Sequence, residues 1–389
     1  MEIRCLADED RDAQFDLRAR AFGPMSAADR DRVRPLVEQD YAAGNVLGIF
    51  DGARLIASGR YMPIEQWWHG AAVPAGGVAS VYVAPEDRGR GVGTRLMTAL
   101  IELIAERGRP LSVLYPATAP LYRRAGYEHG GAQHWVSFRT EALRSLDGAG
   151  REPAGTVKVR RAGPADAAEV VAVVRAVHAA AGDAGPLDRG EAFVRWFLDS
   201  PDLFAYLADD GFIAYYWNDD RSGLVVDIAV AGSAATARAL WSLVGSGSST
   251  AETVRARISP HDPILWLLRD RTDERVTRSS WMLRIIDAPA AIAARGFPVG
   301  VAAEVPLIVH DALRPGNAGS WRLIVAGGRG RLERAPQSAA AVRMTERGLA
   351  ALYAGVPVAT LSRSGLLDGG APAVLGAAFA TTPFMLDDF

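Results

Sequence analysis

The sequence predicts a mixed α/β (α+β) protein made of two related units and a third unit of a different kind. Three observations support this class. A strand, a glycine-rich turn and a helix follow one another within residues 78–103. The pattern that opens the chain, residues 3–22, returns at residues 159–178. From about residue 282 the pattern changes to paired strands and short helices.

The strand and the helix of residues 78–103 are recognised by their apolar spacing. β-Branched and aromatic residues predict a short strand ending at Pro85, and these are Val78, Val81, Tyr82 and Val83. Apolar residues then recur at helical spacing, at Leu96, Met97, Leu100, Ile101 and Leu103. The amino end of this helix should therefore lie just beyond the end of the strand.

The turn between them has the composition of an anion cradle. Gly89, Gly91 and Gly93 let backbone N–H groups approach a phosphate, and a helix start adds roughly half a positive charge. Arg88 and Arg90 add full charges. No Gly-Lys-Ser/Thr follows, and no G-x-G-x-x-G closes a first strand, which excludes two other phosphate motifs. Alone, the turn is also compatible with an ordinary glycine-rich βα connection.

The rest of the first unit predicts strands and helices in a definite order. Residues 2–6 predict a strand, and residues 10–22 and 29–43 predict two helices. Two further strands flank Asp51 and Gly52, a dipeptide typical of a tight hairpin. The segments GRPLSVLYPA and WVSFRTEAL predict the last strands of this unit.

A second unit repeats the first without its anion cradle. After a predicted linker at residues 147–153, the repeat aligns without gaps, with Arg4 over Arg160 and Asp10 over Asp166. The later segment LVVDIAVAGSAATARALWSLV repeats the strand, turn and helix but lacks the arginine and glycine loop. We interpret this unit as a degenerate repeat; an unrelated α/β domain of similar periodicity is the alternative.

The third unit begins near residue 285. A strand and a short helix opened by Pro289 come first, and paired strands follow around Pro315, Gly316 and Asn317. TERGLAALYAGV predicts an amphipathic helix, and the chain closes on PFMLDDF. The predicted domains are therefore residues 1–147, 155–284 and 285–389.

Composition excludes several classes of protein. The 389 residues are 49% hydrophobic and 23% charged, as in ordinary globular proteins, and the net charge of −2 gives no reason to expect nucleic acid or an anionic membrane as partner. The single Cys5 excludes an internal disulfide framework and a cysteine cluster for a metal. The amino-terminal residues do not have the pattern of a signal peptide, and no apolar run approaches the ~20 residues of a membrane span. We expect a cytoplasmic protein that needs no metal.

Two motifs resemble those of the GNAT (Gcn5-related) N-acetyltransferases. The Arg88-x-x-Gly91-x-Gly93 pattern after a Val-x-Val strand resembles their acetyl-CoA pyrophosphate loop, and LYRRAGY, ending at Tyr127, resembles their Tyr-x-x-x-Gly-Tyr/Phe motif. The third unit resembles a sterol-carrier-like domain, and it ends in Phe389. This order of domains is similar to that of the Eis (enhanced intracellular survival) family.

The resemblance implies an acetyl-CoA site in the first unit. The strand residues Val81, Tyr82 and Val83 would hold the pantetheine arm by their backbone and offer an N–H to the thioester oxygen. The pyrophosphate would lie on the turn formed by Arg88, Gly89, Arg90, Gly91, Val92, Gly93 and Thr94. Ala117 and Thr118 match further positions where the family contacts the cofactor.

The resemblance also implies the acid and the base. Tyr122 matches the family's general acid, since a phenol with a pKa near ~10 is protonated at neutral pH and can donate to a departing thiolate. The terminal carboxylate of Phe389 matches the family's base. Phe384 and Leu386 could anchor this tail, and Asp387 and Asp388 would add negative charge beside it.

The expected acceptor is the amino group of a polycationic small molecule such as an aminoglycoside, and the expected assembly is a homohexamer. Acetylation of protein lysines or of polyamines is the alternative within enzymes. A lipid-binding carrier and a non-catalytic acetyl-CoA sensor are the alternatives from other classes.

Overall fold

The computed structural model of the protein describes residues 1–146, 157–269, 271 and 275–389, so the predicted linker lies outside the described residues. Their strands form one sheet of 13 strands and one sheet of five. None of the helices in these ranges has the length and apolar character needed to cross a membrane.

The first unit follows the predicted order, with a longer fourth strand. Its elements are β1 (Glu2–Cys5), α1 (Arg11–Phe22), α2 (Ala27–Ala42), β2 (Val46–Asp51), β3 (Arg54–Trp68), β4 (Ala71–Val83), α3 (Val92–Glu106), β5 (Leu111–Leu114), α4 (Ala119–Arg124), β6 (Glu128–Arg139) and α5 (Thr140–Arg144). The apolar residues predicted to define α3 are buried in one cluster with β2, β3 and β5. The helix therefore covers one face of the sheet.

The second unit repeats this order, with a short strand added between its first two helices and no counterpart of α5 among the described residues. Its elements are β7 (Arg160–Arg161), α6 (Ala167–Ala181), β8 (Leu187–Asp188), α7 (Gly190–Leu198), β9 (Phe204–Ala208), β10 (Gly211–Trp217), β11 (Gly223–Ala231), α8 (Ala234–Gly245), β12 (Thr253–Ile258), α9 (Ile264–Leu267) and β13 (Arg275–Ile285). Strand β11 and helix α8 are the counterparts of β4 and α3.

The aligned starts of the two units make the same contacts. Arg4 forms an ion pair of 2.6 Å with Asp10, and Arg160 forms one of 2.8 Å with Asp166. In each unit this aspartate also accepts a hydrogen bond from the backbone N–H three residues earlier, at 2.9 Å and 2.8 Å. Each aspartate thus fixes the turn that leads into the first helix. The second unit is a structural repeat of the first.

The two units exchange their last strands. The large sheet has the order β1-β2-β3-β4-β5-β13-β6-β12-β11-β10-β9-β7, with β8 paired to β3 outside this path. Strand β13 of the second unit therefore lies between β5 and β6 of the first. Strand β6 in turn pairs with β12 of the second unit. Neither half of the sheet is complete without the other, which binds the two units into one body.

The third unit consists of a five-stranded sheet and four helices that pack on the large sheet. Its elements are α10 (Ala288–Ala294), β14 (Ala303–His310), β15 (Gly319–Ala326), β16 (Arg329–Arg334), β17 (Val342–Thr345), α11 (Glu346–Tyr353), α12 (Val358–Arg363), β18 (Leu367–Asp368) and α13 (Ala373–Phe379). The rings of Trp68 and Tyr353 lie 4.9 Å apart in the shared core. A buried ion pair of 2.6 Å joins Arg284 to Asp311 across the same interface. These contacts, one from the first unit and one from β13 of the second, fix the third unit against the large sheet.

Candidate active site

Strands β4 and β5 form a fork at the centre of the first unit. Their parallel register joins Ala75 to Leu111 and ends where Gly77 meets Val113. Strand β4 stays paired with β3 on its other side as far as Val83. The last residues of β4 therefore present a backbone edge that no described strand pairs with, and an extended chain could be received there.

A β-bulge lies in β4, at the start of the segment that is not paired with β5. The register between β3 and β4 shifts between Ser58 and Arg60, and Ser80 of β4 has a left-handed backbone with φ of +53°. The three residues predicted to bind pantetheine, Val81, Tyr82 and Val83, follow the bulge on the unpaired arm. Tyr82 is buried, whereas Val81 and Val83 are half-buried.

The loop after β4 fits an anionic group. Gly89 and Gly91 have φ values of +79° and +77°, and a Cβ atom on either would meet nothing within 4 Å. The space beside the loop is open to a ligand. Gly91 immediately precedes α3, whose first turn contains Val92, Gly93 and Thr94, and neither a side-chain cap nor an acidic residue occupies that turn. Its N–H groups are therefore available to a phosphate.

The two predicted loop arginines have different environments. Arg88 is exposed, and its Nε donates to the carbonyl oxygen of Val83 at 3.4 Å. Arg90 donates to the buried Asp87, which also pairs with Arg54 at 2.7 Å. The hydrogen bond from Arg54 lowers the pKa of Asp87, which therefore stays ionised at neutral pH. Arg88 is thus the freer of the two guanidinium groups.

The counterpart of this loop in the second unit is closed. Ser233 caps α8 by accepting a hydrogen bond of 3.2 Å from the N–H of Thr236. The hydroxyl of Thr236 donates to Asp210, which brings a carboxylate to the helix start. A carboxylate at this position disfavours an anion, which agrees with the prediction that the second unit has no phosphate site.

Tyr122 lies on α4, beside the amino end of α3. The neighbouring Leu121 lies 3.5 Å from the position of a Cβ on Gly93. The Tyr122 ring is buried against Tyr127, whose hydroxyl is 2.7 Å from the Ser112 hydroxyl on β5. No described residue forms a hydrogen bond with the Tyr122 hydroxyl, and burial raises the pKa of Tyr122. The phenol therefore keeps its proton at neutral pH.

Three further residues named in the sequence analysis or contained in the LYRRAGY motif lie on either side of α4. Ala117 and Thr118 are exposed in the turn that precedes α4. Gly126 has φ of +83°, and a Cβ there would lie 2.4 Å from the Nη1 atom of Arg284. This glycine is therefore needed both for its backbone conformation and for the close approach of β13.

The carboxyl-terminal tail runs between the first two units and ends at the fork. Phe384 donates its N–H to the Ala184 oxygen at 3.0 Å, and its side chain is buried. The Tyr115 hydroxyl donates to the Asp387 oxygen at 2.8 Å. The Phe389 ring then lies 3.4 Å from the position of a Cβ on Gly77, at the residue where the pairing of β4 with β5 ends. The chain terminus is thus brought to the fork.

Arginines of the second unit compensate the two aspartates of this tail. Arg257 binds Asp388 at 2.6 Å and also contacts Asp227. Arg189 donates to the Asp388 carbonyl oxygen at 3.2 Å, and burial lowers the pKa of Arg189 to about 10, so the group stays charged at neutral pH. Burial raises the pKa of Asp387, although Arg189 and Arg257 oppose the shift. These two arginines therefore offset part of the negative charge expected from this pair of aspartates, and Arg257 is shared with Asp227.

A cavity of about 660 Å³ opens beside the tail, between the first and second units. Helix α2 forms one wall, helices α6 and α7 form the other, and Asp388 lines the end near the tail. The indole N–H of Trp196 on α7 donates to the Arg32 oxygen on α2 at 3.0 Å, so the two walls touch. Arg60, another lining residue, is paired with Ala79 just before the bulge of β4. The cavity therefore lies next to the fork.

Several residues that hold the tail were missed by sequence reasoning. They are Tyr115, Gln133, Arg189 and Arg257; Gln133 donates to the Asp387 oxygen at 3.1 Å. Tyr115 lies in the segment GRPLSVLYPA, which predicts a strand, and could have been singled out as an aromatic residue at the end of that strand. The two arginines belong to the second unit, in stretches without a recognisable motif, and only the fold brings them to the tail.

Comparisons with known proteins match each unit separately. Family models described as "Acetyltransferase (GNAT) domain" match residues 2–130 and 185–285, and one described as "Sterol carrier protein domain" matches residues 288–386. The two acetyltransferase matches fall on the two repeated units.

Whole proteins resemble the full chain. An "Uncharacterized N-acetyltransferase" of Streptomyces avermitilis is 30% identical, covering 94% of this chain and 92% of its own. "N-acetyltransferase Eis" of Mycobacterium tuberculosis is 29% identical over 90% of this chain and 88% of its own. The crystal structure of a GCN5-related N-acetyltransferase from Kribbella flavida superposes with a TM-score of 0.95 at 43% identity, covering 100% of this chain and 98% of that one.

Proposed function

This chain belongs to the Eis family of GNAT N-acetyltransferases, and on that basis we propose that it transfers the acetyl group of acetyl-CoA to a primary amine at the fork between β4 and β5. The observation that carries the proposal is the position of Phe389. Its ring packs at Gly77, where the pairing of the two strands ends. A tail drawn from the third unit to this point has a direct explanation if its carboxylate takes part in the reaction.

The first unit supplies the groups that hold the co-substrate. Acetyl-CoA provides a thioester-activated acetyl group. The unpaired arm of β4 can hydrogen-bond the pantetheine amides as an added strand would, and an N–H of Val81–Val83 is the natural donor to the thioester oxygen. The open loop of Gly89 and Gly91, with the uncapped start of α3, fits the pyrophosphate.

Tyr122 acts as the general acid in this proposal. Its hydroxyl has no hydrogen-bond partner among the described residues, and its raised pKa keeps the proton in place at neutral pH. It can therefore donate that proton to the sulfur as the C–S bond breaks, so that the thiolate leaves as a neutral thiol.

The terminal carboxylate of Phe389 acts on the amine. A terminal carboxyl has an ordinary pKa of ~3.3–3.7 and is a weak base. It can nevertheless orient the ammonium group and take its proton directly or through a water molecule. The carboxylate releases this first proton to solvent, and the neutral amine attacks the acetyl carbon. The second proton lost by nitrogen leaves by the same carboxylate to solvent, and a proton from solvent restores the Tyr122 phenol.

The packing of the third unit's core argues against the lipid-carrier alternative. Arg295 is buried at the centre of the third unit's interface, where it donates to the Tyr353 carbonyl oxygen. Its guanidinium lies 4.6 Å from the Tyr353 ring, 4.9 Å from the Phe379 ring and 5.4 Å from the Trp68 ring. This part of the core is filled by a charged group and aromatic rings.

The test is thiol release from acetyl-CoA in the presence of a panel of amines that includes an aminoglycoside, a polyamine and a lysine peptide. Release that depends on the amine supports the proposal, and the ranking identifies the acceptor. Tight acetyl-CoA binding without release for every amine would favour a sensor instead. An aminoglycoside acceptor, a hexameric assembly and a cytoplasmic location stay predictions.

A further inference from the structure

We infer that Glu128 and Arg347 are positioning residues for the reaction, because they hold the helix that carries Tyr122 against the third unit. The third unit thus acts on the active site at two separate points, through the tail at Phe389 and through an ion-pair clamp on α4. We call Arg123, Glu128 and Arg347 the α4 clamp. This role rests on the proposed function, since Tyr122 is its general acid.

The carboxylate of Glu128 is buried at the first residue of β6, and both of its oxygens are occupied. Oε1 accepts hydrogen bonds from Nε and Nη2 of Arg123 at 3.1 Å and 2.8 Å, and from the N–H of His129 at 3.0 Å. Oε2 accepts hydrogen bonds from Nη2 and Nε of Arg347, the latter at 2.9 Å. Arg123 belongs to α4, and Arg347 belongs to α11 of the third unit. One carboxylate therefore joins these two helices.

The α4 clamp is ionised at neutral pH. Burial favours the neutral form of Glu128, but the hydrogen bonds from two arginines and a backbone N–H hold its pKa below the ordinary value. Guanidinium forks are planar and directional, so this carboxylate is fully satisfied in one arrangement of the two helices. Buried ion pairs add little net stability compared with apolar packing. The contribution of the clamp is therefore the placement of α4.

Tyr122 depends on the backbone of α4 for its position. Its hydroxyl forms no hydrogen bond with any described residue, and Arg123 of the clamp is the next residue in the chain. The Tyr122 carbonyl oxygen accepts the N–H groups of Ala125 and Tyr127, each at 3.0 Å. A shift of the clamp or of the turn that follows α4 would therefore displace the phenol.

Helix α11 also packs directly on this turn. A Cβ atom on Gly126 would lie 2.7 Å from the Cγ atom of Glu346, the residue before Arg347. The other side of α4 faces the co-substrate loop, where Leu121 lies beside Gly93. The third unit therefore grips the end of α4 that does not contact this loop. Loss of the clamp should disturb the phenol and leave acetyl-CoA binding intact.

Removal of the third unit's part of the clamp tests this role. Arg347→Gln leaves Glu128 with Arg123 alone, and we expect kcat to fall about tenfold because the phenol is no longer aligned with the departing sulfur. Calorimetry should show unchanged acetyl-CoA affinity. Arg347→Lys keeps one charged donor and should recover part of the lost rate. Arg322→Gln, which breaks an exposed ion pair of 2.9 Å to Glu333 in the same unit, is the matched control and should change neither quantity.

A double-mutant cycle with Tyr122→Phe gives a readout that a merely structural role would not move. If the clamp aligns the phenolic proton, Arg347→Gln should change kcat by less than about twofold in an enzyme that already lacks this proton. Glu128→Gln removes the shared charge and enters the same cycle from the first unit. Thermal unfolding of each variant shows whether the fold is retained, and Arg347→Gln, whose side chain is partly exposed, is the milder of the two changes.

The outcomes separate this inference from the proposed function. A tenfold fall of kcat on Arg347→Gln in both the unaltered and the Tyr122→Phe enzyme would overturn the inference, since the effect would not pass through the phenol. An unchanged kcat in Arg347→Gln, or loss of its acetyl-CoA binding, would overturn it as well. All of these results leave acetyl transfer intact. No thiol release by the unaltered protein with any amine, although acetyl-CoA binds, would overturn the proposed function and the inference with it.

Discussion

The ring of Tyr115 packs edge-to-face against the ring of Phe389, with centroids 5.4 Å apart, and the Tyr115 hydroxyl donates to the Asp387 oxygen at 2.8 Å. Tyr115 directly follows β5, one arm of the fork. The end of that strand therefore holds the last three residues of the chain by a ring contact and a hydrogen bond. This relationship links the third unit, which supplies the tail, to the proposed reaction in the first.

Loss of the Tyr115 hydroxyl should weaken this hold. Tyr115→Phe keeps the ring contact and removes a hydrogen bond worth about 1 kcal/mol, so we expect kcat to fall about fivefold with unchanged acetyl-CoA affinity. Steady-state kinetics and calorimetry measure the two quantities. Tyr206→Phe, a ring change in the second unit away from the tail, is the control. An unchanged kcat would mean that the ring alone positions Phe389.

The glycine loop should tolerate no side chain when acetyl-CoA binds. Gly91→Glu places a carboxylate in the open space assigned to the pyrophosphate, and we expect calorimetry to show loss of acetyl-CoA binding. Gly108→Glu is a matched control, because Gly108 also has a positive φ and open surroundings but lies beyond the other end of α3. Equal affinity in both variants would remove the phosphate site from this loop.

Tyr122→Phe should slow the reaction without loosening the co-substrate. The ring packing survives while the proton donor is lost, so kcat should fall about 10²-fold. Since burial raises the pKa of Tyr122, the wild-type rate should not decline through ionisation of this phenol until the pH exceeds its ordinary value of about 10. Tyr127→Phe, which loses the contact to Ser112, should lower stability and leave kcat nearly unchanged.

A buried carboxyl in the second unit should make stability depend on pH. Asp262 accepts the N–H of Ile264 at 2.9 Å, and burial raises the pKa of Asp262 to about 7. The folded state keeps this proton above the ordinary pKa of about 3.9, so stability falls as the pH rises from about 4 to about 7. An amide can accept the same hydrogen bond without ionising.

Asp262→Asn should therefore increase the free energy of unfolding at pH 8 by on the order of 2 kcal/mol and change it little at pH 4. Chemical denaturation at the two pH values measures the difference. The exposed Asp209→Asn is the control. Equal effects of Asp262→Asn at pH 4 and pH 8 would show that its ionisation does not cause the change.

Local features of the fold were predictable from the sequence. The hairpin at Asp51 and Gly52, helix α3 and the strand before it depend on residues close together in the chain. The repeat was predictable because Arg4 and Asp10 are six positions apart, as are Arg160 and Asp166. In each unit these two residues form an ion pair beside the turn that leads into the first helix. The family resemblance indicated where the chain terminus should be sought.

Long-range features were not predictable. The exchange of β6 and β13 joins strands more than 130 positions apart, and neither strand carries a signal for its partner. The neutralisation of Asp388 depends on Arg257, which a fold with two interlocked units brings close. The sequence therefore indicated the acidic residues of the tail, whereas their arginine partners were found only in the folded chain.

The central claim is that the carboxylate of Phe389 acts as the base toward the amine at the fork. Moving that carboxylate tests the claim most directly. Two glycines added after Phe389 displace it by up to roughly 7 Å without removing any side chain, which is beyond hydrogen-bond reach. Two glycines before Met1, which is exposed, are the matched control. We expect the carboxyl-terminal extension to abolish turnover and the amino-terminal extension to leave kcat unchanged. Calorimetry should show that both variants keep the acetyl-CoA affinity of the unaltered protein. Full activity in the carboxyl-terminal extension would contradict the account.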